Sequence, residues 1–205
     1  MSMNVEAVMR AAPVIPVLVI DDPAHAEPIA RALVAGGLPV LEVTLRTAAA
    51  LEVMTEMKRV PGAIVGAGTV LDPAQLDAAL AAGAEFIVAP GLTERLSQAA
   101  IASGVPFLPG IANASDIMRG LDLGLTRFKF FPAMASGGLP ALKALAAPFG
   151  QCRFCPTGGI TEASAPEWLA FDPVLCVGGS WVVGKGAPDL AAIEKAARAA
   201  AALRA

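Results

Sequence analysis

Short runs of β-branched and aliphatic residues alternate along the chain with Ala-rich segments whose apolar positions recur at helical spacing. The strand-like runs cover residues 14–20, 40–44, 63–66, 86–89, 106–109, 127–130, 153–156 and 174–178. Helix signals fill the gaps between them. Asp22-Pro23 opens the first helix and Gly36-Gly37 closes it; residues 47–58 form the second, stopped before Pro61. Asp72-Pro73 opens the third and Gly83 closes it, Thr93-Glu94 and Gly104 bound the fourth, and Ser115 opens the fifth, closed by Gly120 or Gly124. Residues 138–147, 163–170 and 188–203 supply the last three. Strand–helix units repeating at roughly two dozen residues predict a parallel sheet. Eight of them predict a (β/α)8 TIM barrel, a single domain over residues 1–205. The strands are hydrophobic throughout rather than alternating, which fits burial on both faces. A doubly wound open sheet is the alternative, but its Gly-rich fingerprint is missing after the first strand, where the chain reads Ile20-Asp21-Asp22-Pro23. A short helix over residues 5–10 is expected to cap the bottom of the barrel.

Composition supports a large core: 56% of the 205 residues are hydrophobic and 16% charged. The mean hydropathy of +0.64 is high for a soluble monomer, and the excess is read as buried helix faces or a subunit interface. A net charge of −3 with no basic stripe argues against nucleic-acid binding. The apolar run 11–20 is too short to span a bilayer and is broken by Pro13 and Pro16, so no membrane association and a cytoplasmic location are expected. Three cysteines are too few for a disulfide framework. Cys152 and Cys155 spell C-x-x-C, but on a strand that spacing puts the side chains on opposite faces. With His25 the one histidine, no metal site and no cofactor are expected.

A barrel of this kind holds its active site at the C-terminal ends of the strands, and unusual polar residues gather there. Of five lysines, only Lys129 interrupts a strand, flanked by Phe128, Phe130 and Phe131. Burial favours the neutral amine, the nucleophilic form, so Lys129 is read as a Schiff-base former rather than a structural counter-ion. Glu42 alone among the carboxylates interrupts a strand core, as a proton shuttle or as a counter-ion to Lys129 or Arg46. Arg46 has two readings, a fork for a substrate carboxylate or a salt bridge at the rim. Thr69 offers a hydroxyl contact or serves only as a turn residue. Gly158-Gly159 and Gly178-Gly179-Ser180 follow the seventh and eighth strands, where phosphate-binding barrels cradle a phosphate. Tight turns need glycine in any case. Lys185 would assist there or simply be solvated. Asp21 and Asp22 are read as caps, His25 as structural, and Trp168 and Trp181 as packing residues.

The segments Leu41-Glu42-Val43-Thr44-Leu45-Arg46-Thr47, Val65-Gly66-Ala67-Gly68-Thr69-Val70, Phe128-Lys129-Phe130-Phe131-Pro132-Ala133 and Phe154-Cys155-Pro156-Thr157-Gly158-Gly159-Ile160 together resemble the 2-keto-3-deoxy-6-phosphogluconate (KDPG) aldolases. The resemblance implies a lysine-dependent, metal-free homotrimeric aldolase acting on a phosphorylated keto acid. By it, Lys129 forms the Schiff base and Glu42 is the general acid/base. Arg46 and Thr69 hold the pyruvyl carboxylate, and Pro90, Phe131 and Thr157 shape the substrate pocket. Gly158, Gly159, Gly179 and Ser180 take the phosphate. Related members act on 4-hydroxy-2-oxoglutarate (KHG) or the galactonate epimer, so the motifs leave the substrate open. Where members often carry Glu, this chain has Met134, which leaves the catalytic pair untouched but bears on local contacts. A phosphosugar isomerase on the same barrel would not need an amine among phenylalanines. A metal-dependent aldolase lacks ligands, and a non-catalytic binding barrel would have no use for both Lys129 and Glu42.

Overall fold

The computed structural model describes residues 3–184 and 186–203. It opens with α1 (Val5–Arg10), β1 (Val14–Leu18), a 3₁₀ turn (Pro23–His25), α2 (Ala26–Ala35), β2 (Val40–Thr44), α3 (Ala50–Met57), β3 (Ile64–Gly68) and α4 (Pro73–Ala81). There follow β4 (Ile87–Val88), α5 (Glu94–Ser103), β5 (Phe107–Leu108), β6 (Gly110–Ile111), α6 (Ala114–Asp122) and β7 (Arg127–Phe130). The last elements are α7 (Gly138–Ala146), β8 (Arg153–Pro156), α8 (Ala165–Leu169), β9 (Val177–Gly179) and α9 (Leu190–Ala201). Lys185 lies outside the described residues, and with it the reading that it assists Ser180.

The strands form curled parallel sheet in an α/β fold, in two hydrogen-bonded groups: β5-β4-β3-β2-β1-β9 and β6-β7-β8. Isolated parallel bridges, Phe154 to Val174 and Thr157 to Gly178, link β8 to the segment of β9. The expected fifth strand is two short ones, parted at Pro109. A proline has no N–H to give to a ladder, yet its carbonyl still accepts from Lys129 N at 2.8 Å. The second helix starts three residues later than the pattern predicts, because Thr47 turns its hydroxyl to the carbonyl of Ile20 at 2.9 Å. The fifth helix is capped by Asn113, whose side chain accepts from Asp116 N at 3.0 Å, rather than by Ser115.

Two apolar clusters separate the inside of the sheet from the helix layer. The inner cluster contains Ile15, Val40, Phe86, Val88, Leu108, Cys155, Leu175 and Cys176, closed off by Val8 and Met9 of α1. The outer cluster takes Leu41, Val43, Val65, Ala67, Phe128, Phe130, Phe154 and the buried helix faces. Burying a ring such as Phe86, 2% exposed, contributes roughly 1.5–3 kcal/mol. Cys152 belongs to the outer cluster and Cys155 to the inner, the opposite-face placement expected of the C-x-x-C spacing, and all three cysteines are buried. Burial pushes the Cys152 thiol up from its ordinary value. Helix α1 is fastened as well as packed: Asn4 caps it, and Glu6 pairs with Arg10 on the helix and with Arg127 at the start of β7. Hydrogen bonds from Arg10 first, then from Arg127, hold the Glu6 carboxyl below the usual carboxylate range. No helix among the described residues is long and apolar enough to cross a membrane.

Candidate active site

Strand parity decides which side chains face inward. On β2, Leu41 and Val43 pack outward, so Glu42 and Thr44 point in. On β7, Phe128 and Phe130 pack outward, so Lys129 points in. The flanking rings therefore do not wall the amine; they seal the strand against the helices. Phe131 alone of the three stands beside it, with Lys129 Nζ 5.2 Å from the ring centroid.

Lys129 and Glu42 meet across the interior. Nζ donates to Oε1 at 3.0 Å, and the two side chains are 6% and 4% exposed. A buried ion pair persists when each member has its partner, and losing one strands the other at a cost of about 3–5 kcal/mol. Passing the shared proton from Nζ to Oε1 turns the pair into a neutral amine and a carboxylic acid, a nucleophile beside an acid.

The strand ends around this pair carry the remaining expected residues. Thr44, buried, donates to the carbonyl of Leu18 at 2.8 Å, and Leu45 N donates to Gly68 O at 2.8 Å. These bonds fix the turn that presents Arg46, which is exposed and forms no ion pair among the described residues. Of its two readings, the rim salt bridge is thus not made. Thr69, half-buried, has φ 59°, the one non-glycine in the left-handed region among the described residues. Pro90 and Phe131 are half-buried at the ends of β4 and β7. Thr157 is buried, two residues beyond Cys155, whose register partner on β7 is Lys129.

After Thr157 the chain turns through Gly158 and Gly159 with φ of 105° and 80°, a conformation that only glycine adopts at little cost. Carbonyls of Thr157 and Gly158 accept from Ala133 N and Met134 N at 2.8 and 3.0 Å, zipping this turn to the one after β7. Among the described residues the Gly159 N–H has no protein acceptor. Gly179 ends β9, where the Trp181 ring takes the space of its absent side chain, and Ser180 is exposed. Trp168 is buried in the outer cluster and Trp181 packs at its edge. Among the described residues no group of three or more His, Cys, Asp or Glu could hold a metal ion. Sequence reading missed the part played by Thr44 and Thr47 in bracing the Arg46 turn; a hydroxyl on each side of an arginine was the available signal.

A model of the family described as KDPG and KHG aldolase matches residues 5–196. The chain belongs to that family. This aldolase is 62% identical over 201 residues to the 2-dehydro-3-deoxy-phosphogluconate aldolase of Zymomonas mobilis, covering 98% of this chain and 97% of that one. A crystal structure of the Zymomonas mobilis 2-keto-3-deoxy-6-phosphogluconate aldolase with 3-phosphoglycerate superposes with a TM-score of 0.97 at 61% identity, covering 100% of this chain and 98% of that one. The KDPG aldolase of Legionella pneumophila, with pyruvate captured at low pH as a covalent carbinolamine intermediate, matches at a TM-score of 0.95 and 44% identity, covering 98% of this chain and 100% of that one.

Proposed function

We propose that this class I aldolase cleaves KDPG to pyruvate and glyceraldehyde 3-phosphate through a Schiff base on Lys129, and that it also accepts 4-hydroxy-2-oxoglutarate. The buried Lys129–Glu42 pair at 3.0 Å carries this reading. Neutral Lys129 attacks the C2 ketone, and the carbinolamine oxygen takes a proton relayed by Glu42. Water leaves, and the protonated imine becomes an electron sink. Removal of the C4 hydroxyl proton breaks the C3–C4 bond; its electrons enter the imine, leaving an enamine and free aldehyde. Protonation at C3 and addition of water then release pyruvate and restore the lysine. Arg46 and Thr69 hold the pyruvyl carboxylate, with Pro90, Phe131 and Thr157 shaping the pocket. Gly158 and Gly159, with Gly179 and Ser180, take the phosphate, remote binding energy that aligns the reacting carbons.

Borohydride reduction with pyruvate, followed by peptide mass mapping, tests the centre of this reading. One pyruvyl adduct on Lys129 is expected, and an adduct on another lysine, or none, rejects it. Replacing Glu42→Gln is expected to slow cleavage by roughly 100-fold, within the range of positioned acid–base groups. The ratio of rates on the gluconate- and galactonate-derived epimers decides the stereochemical preference.

The same reading extends to the whole molecule. The two strand groups are taken as one closed (β/α)8 barrel and one domain, because β5 and β6 are a single run parted at Pro109 and bridges join β8 to β9. The high mean hydropathy supports a subunit interface, and the resemblance to the KDPG aldolases implies that the assembly is a homotrimer. Sedimentation velocity should then give a species of about three times the 20.7 kDa chain mass, and a monomer would reject it. The cytoplasm, the expected compartment, is checked by cell fractionation.

A further inference from the structure

The inward positions of β3 are Ile64, Gly66 and Gly68, because Val65 and Ala67 pack outward. Two of the three carry no side chain, and neighbouring strands use both spaces. A Cβ on Gly66 would stand 2.5 Å from the Phe86 ring, the residue that fills the interior below the catalytic pair. A Cβ on Gly68 would stand 2.3 Å from Glu42 Oε1, 2.6 Å from its Cγ and 2.8 Å from its Cδ. The conflict thus involves the carboxyl group and the carbon that bears it, not a flexible tip. Glu42 is 3% exposed, so a displaced carboxylate has no solvent to swing into. The Gly68 backbone is not left-handed and its carbonyl accepts from Leu45 N, so conformation does not explain glycine here. Space does.

We propose that Gly68 is a positioning residue whose missing side chain forms the seat that holds the Glu42 carboxylate against Lys129 Nζ. The inference rests on Glu42 relaying protons to and from the lysine adduct. An added methyl would leave strand pairing and backbone geometry available while pushing Oε1 off its 3.0 Å contact with Nζ. Substrate binding at Arg46 and at the glycine turn would be untouched, so the defect should fall on kcat rather than KM.

The test compares Gly68→Ala, Glu42→Ala, Glu42→Gln and the Gly68→Ala/Glu42→Ala double variant with the parent. It reads kcat and KM for cleavage of KDPG, and exchange of pyruvate methyl protons in heavy water, which needs only imine–enamine proton transfer. Gly68→Ala should lower kcat and exchange by roughly tenfold to hundredfold, with KM moved by less than about twofold. Ala ends at Cβ and lacks the Cγ, Cδ and Oε1 atoms that the new methyl would meet. Glu42→Ala should therefore cost less in the Gly68→Ala background than in the parent, a non-additivity expected of residues in contact. Unchanged exchange in Gly68→Ala, or additive effects of the two substitutions, overturns the proposal. A Glu42→Gln variant with parental rates would remove the relay and the seat together; a slow Glu42→Gln beside a normal Gly68→Ala removes the seat alone. Should Gly68→Ala not fold, the double variant decides by circular dichroism: a folded protein supports the seat, and a failure to fold where Glu42→Ala alone folds overturns it.

Discussion

An exposed arginine without a carboxylate partner among the described residues and a threonine in the left-handed region follow the C-terminal ends of neighbouring strands, β2 and β3, at Arg46 and Thr69. Neither arrangement helps the empty protein. A β-branched residue at φ 59° costs on the order of 1–3 kcal/mol, and such strain collects where function requires it. Thr69→Gly is therefore expected to raise the thermal midpoint while raising KM for the keto acid; a variant that gains stability and keeps its KM would show the hydroxyl to be dispensable. Arg46→Lys removes the planar fork but keeps the charge, and should raise KM about tenfold or more with kcat little changed, as steady-state kinetics would show. Residues of this kind differ in how much the sequence discloses. Lys129 and Glu42 are visible because a charge inside an apolar strand violates the pattern around it. The backbone state of Thr69 is not visible, since any threonine after a glycine reads as a turn. Nor is the outward packing of Phe128 and Phe130, because a run of apolar neighbours conceals which face of the strand each takes.

Helix α1 and the split fifth strand show what happens one level up. The helix was legible from six residues, but its attachment was not: Glu6 reaches Arg127, a partner 121 positions away that no local spacing announces. That contact makes a pH prediction. The Glu6 carboxyl is held below its ordinary range when folded, so its contribution is complete at pH values above that ordinary range. It is lost as pH falls through that range toward the lowered folded value. Glu6→Gln should lower stability at neutral pH by about 1 kcal/mol or less, as befits a pair that is partly solvated. Its stability should also fall less steeply on acidification, which denaturant titrations across the acid range would measure; parallel pH curves for the two proteins would reject the linkage. Elsewhere the pattern located the strands but not their ends. Pro109 parts β5 from β6, and Thr47 spends its hydroxyl on the Ile20 carbonyl, past the end of β1, before α3 begins. In both places one residue's hydrogen-bonding capacity overrides the hydrophobic period, which carries no information about donors and acceptors.

At the scale of the molecule, the alternation of strand and helix patterns was enough for an α/β fold with parallel strands, and the polar residues at one set of strand ends marked out the candidate site. What the pattern could not convey is depth. Lys129 is 5% exposed, and the inner cluster beneath it is closed by Val8 and Met9 of α1. A chamber shut at its floor has one doorway, and traffic through one doorway has an order. In the proposed mechanism the fragment bonded to Lys129 sits innermost, so the aldehyde must clear the entrance before water can release pyruvate. Pyruvate then departs last and competes with incoming substrate for the same free enzyme. In initial-rate measurements pyruvate is expected to inhibit competitively against the keto acid, and the aldehyde non-competitively. The reverse assignment would mean that the lysine-bound fragment has a second way out.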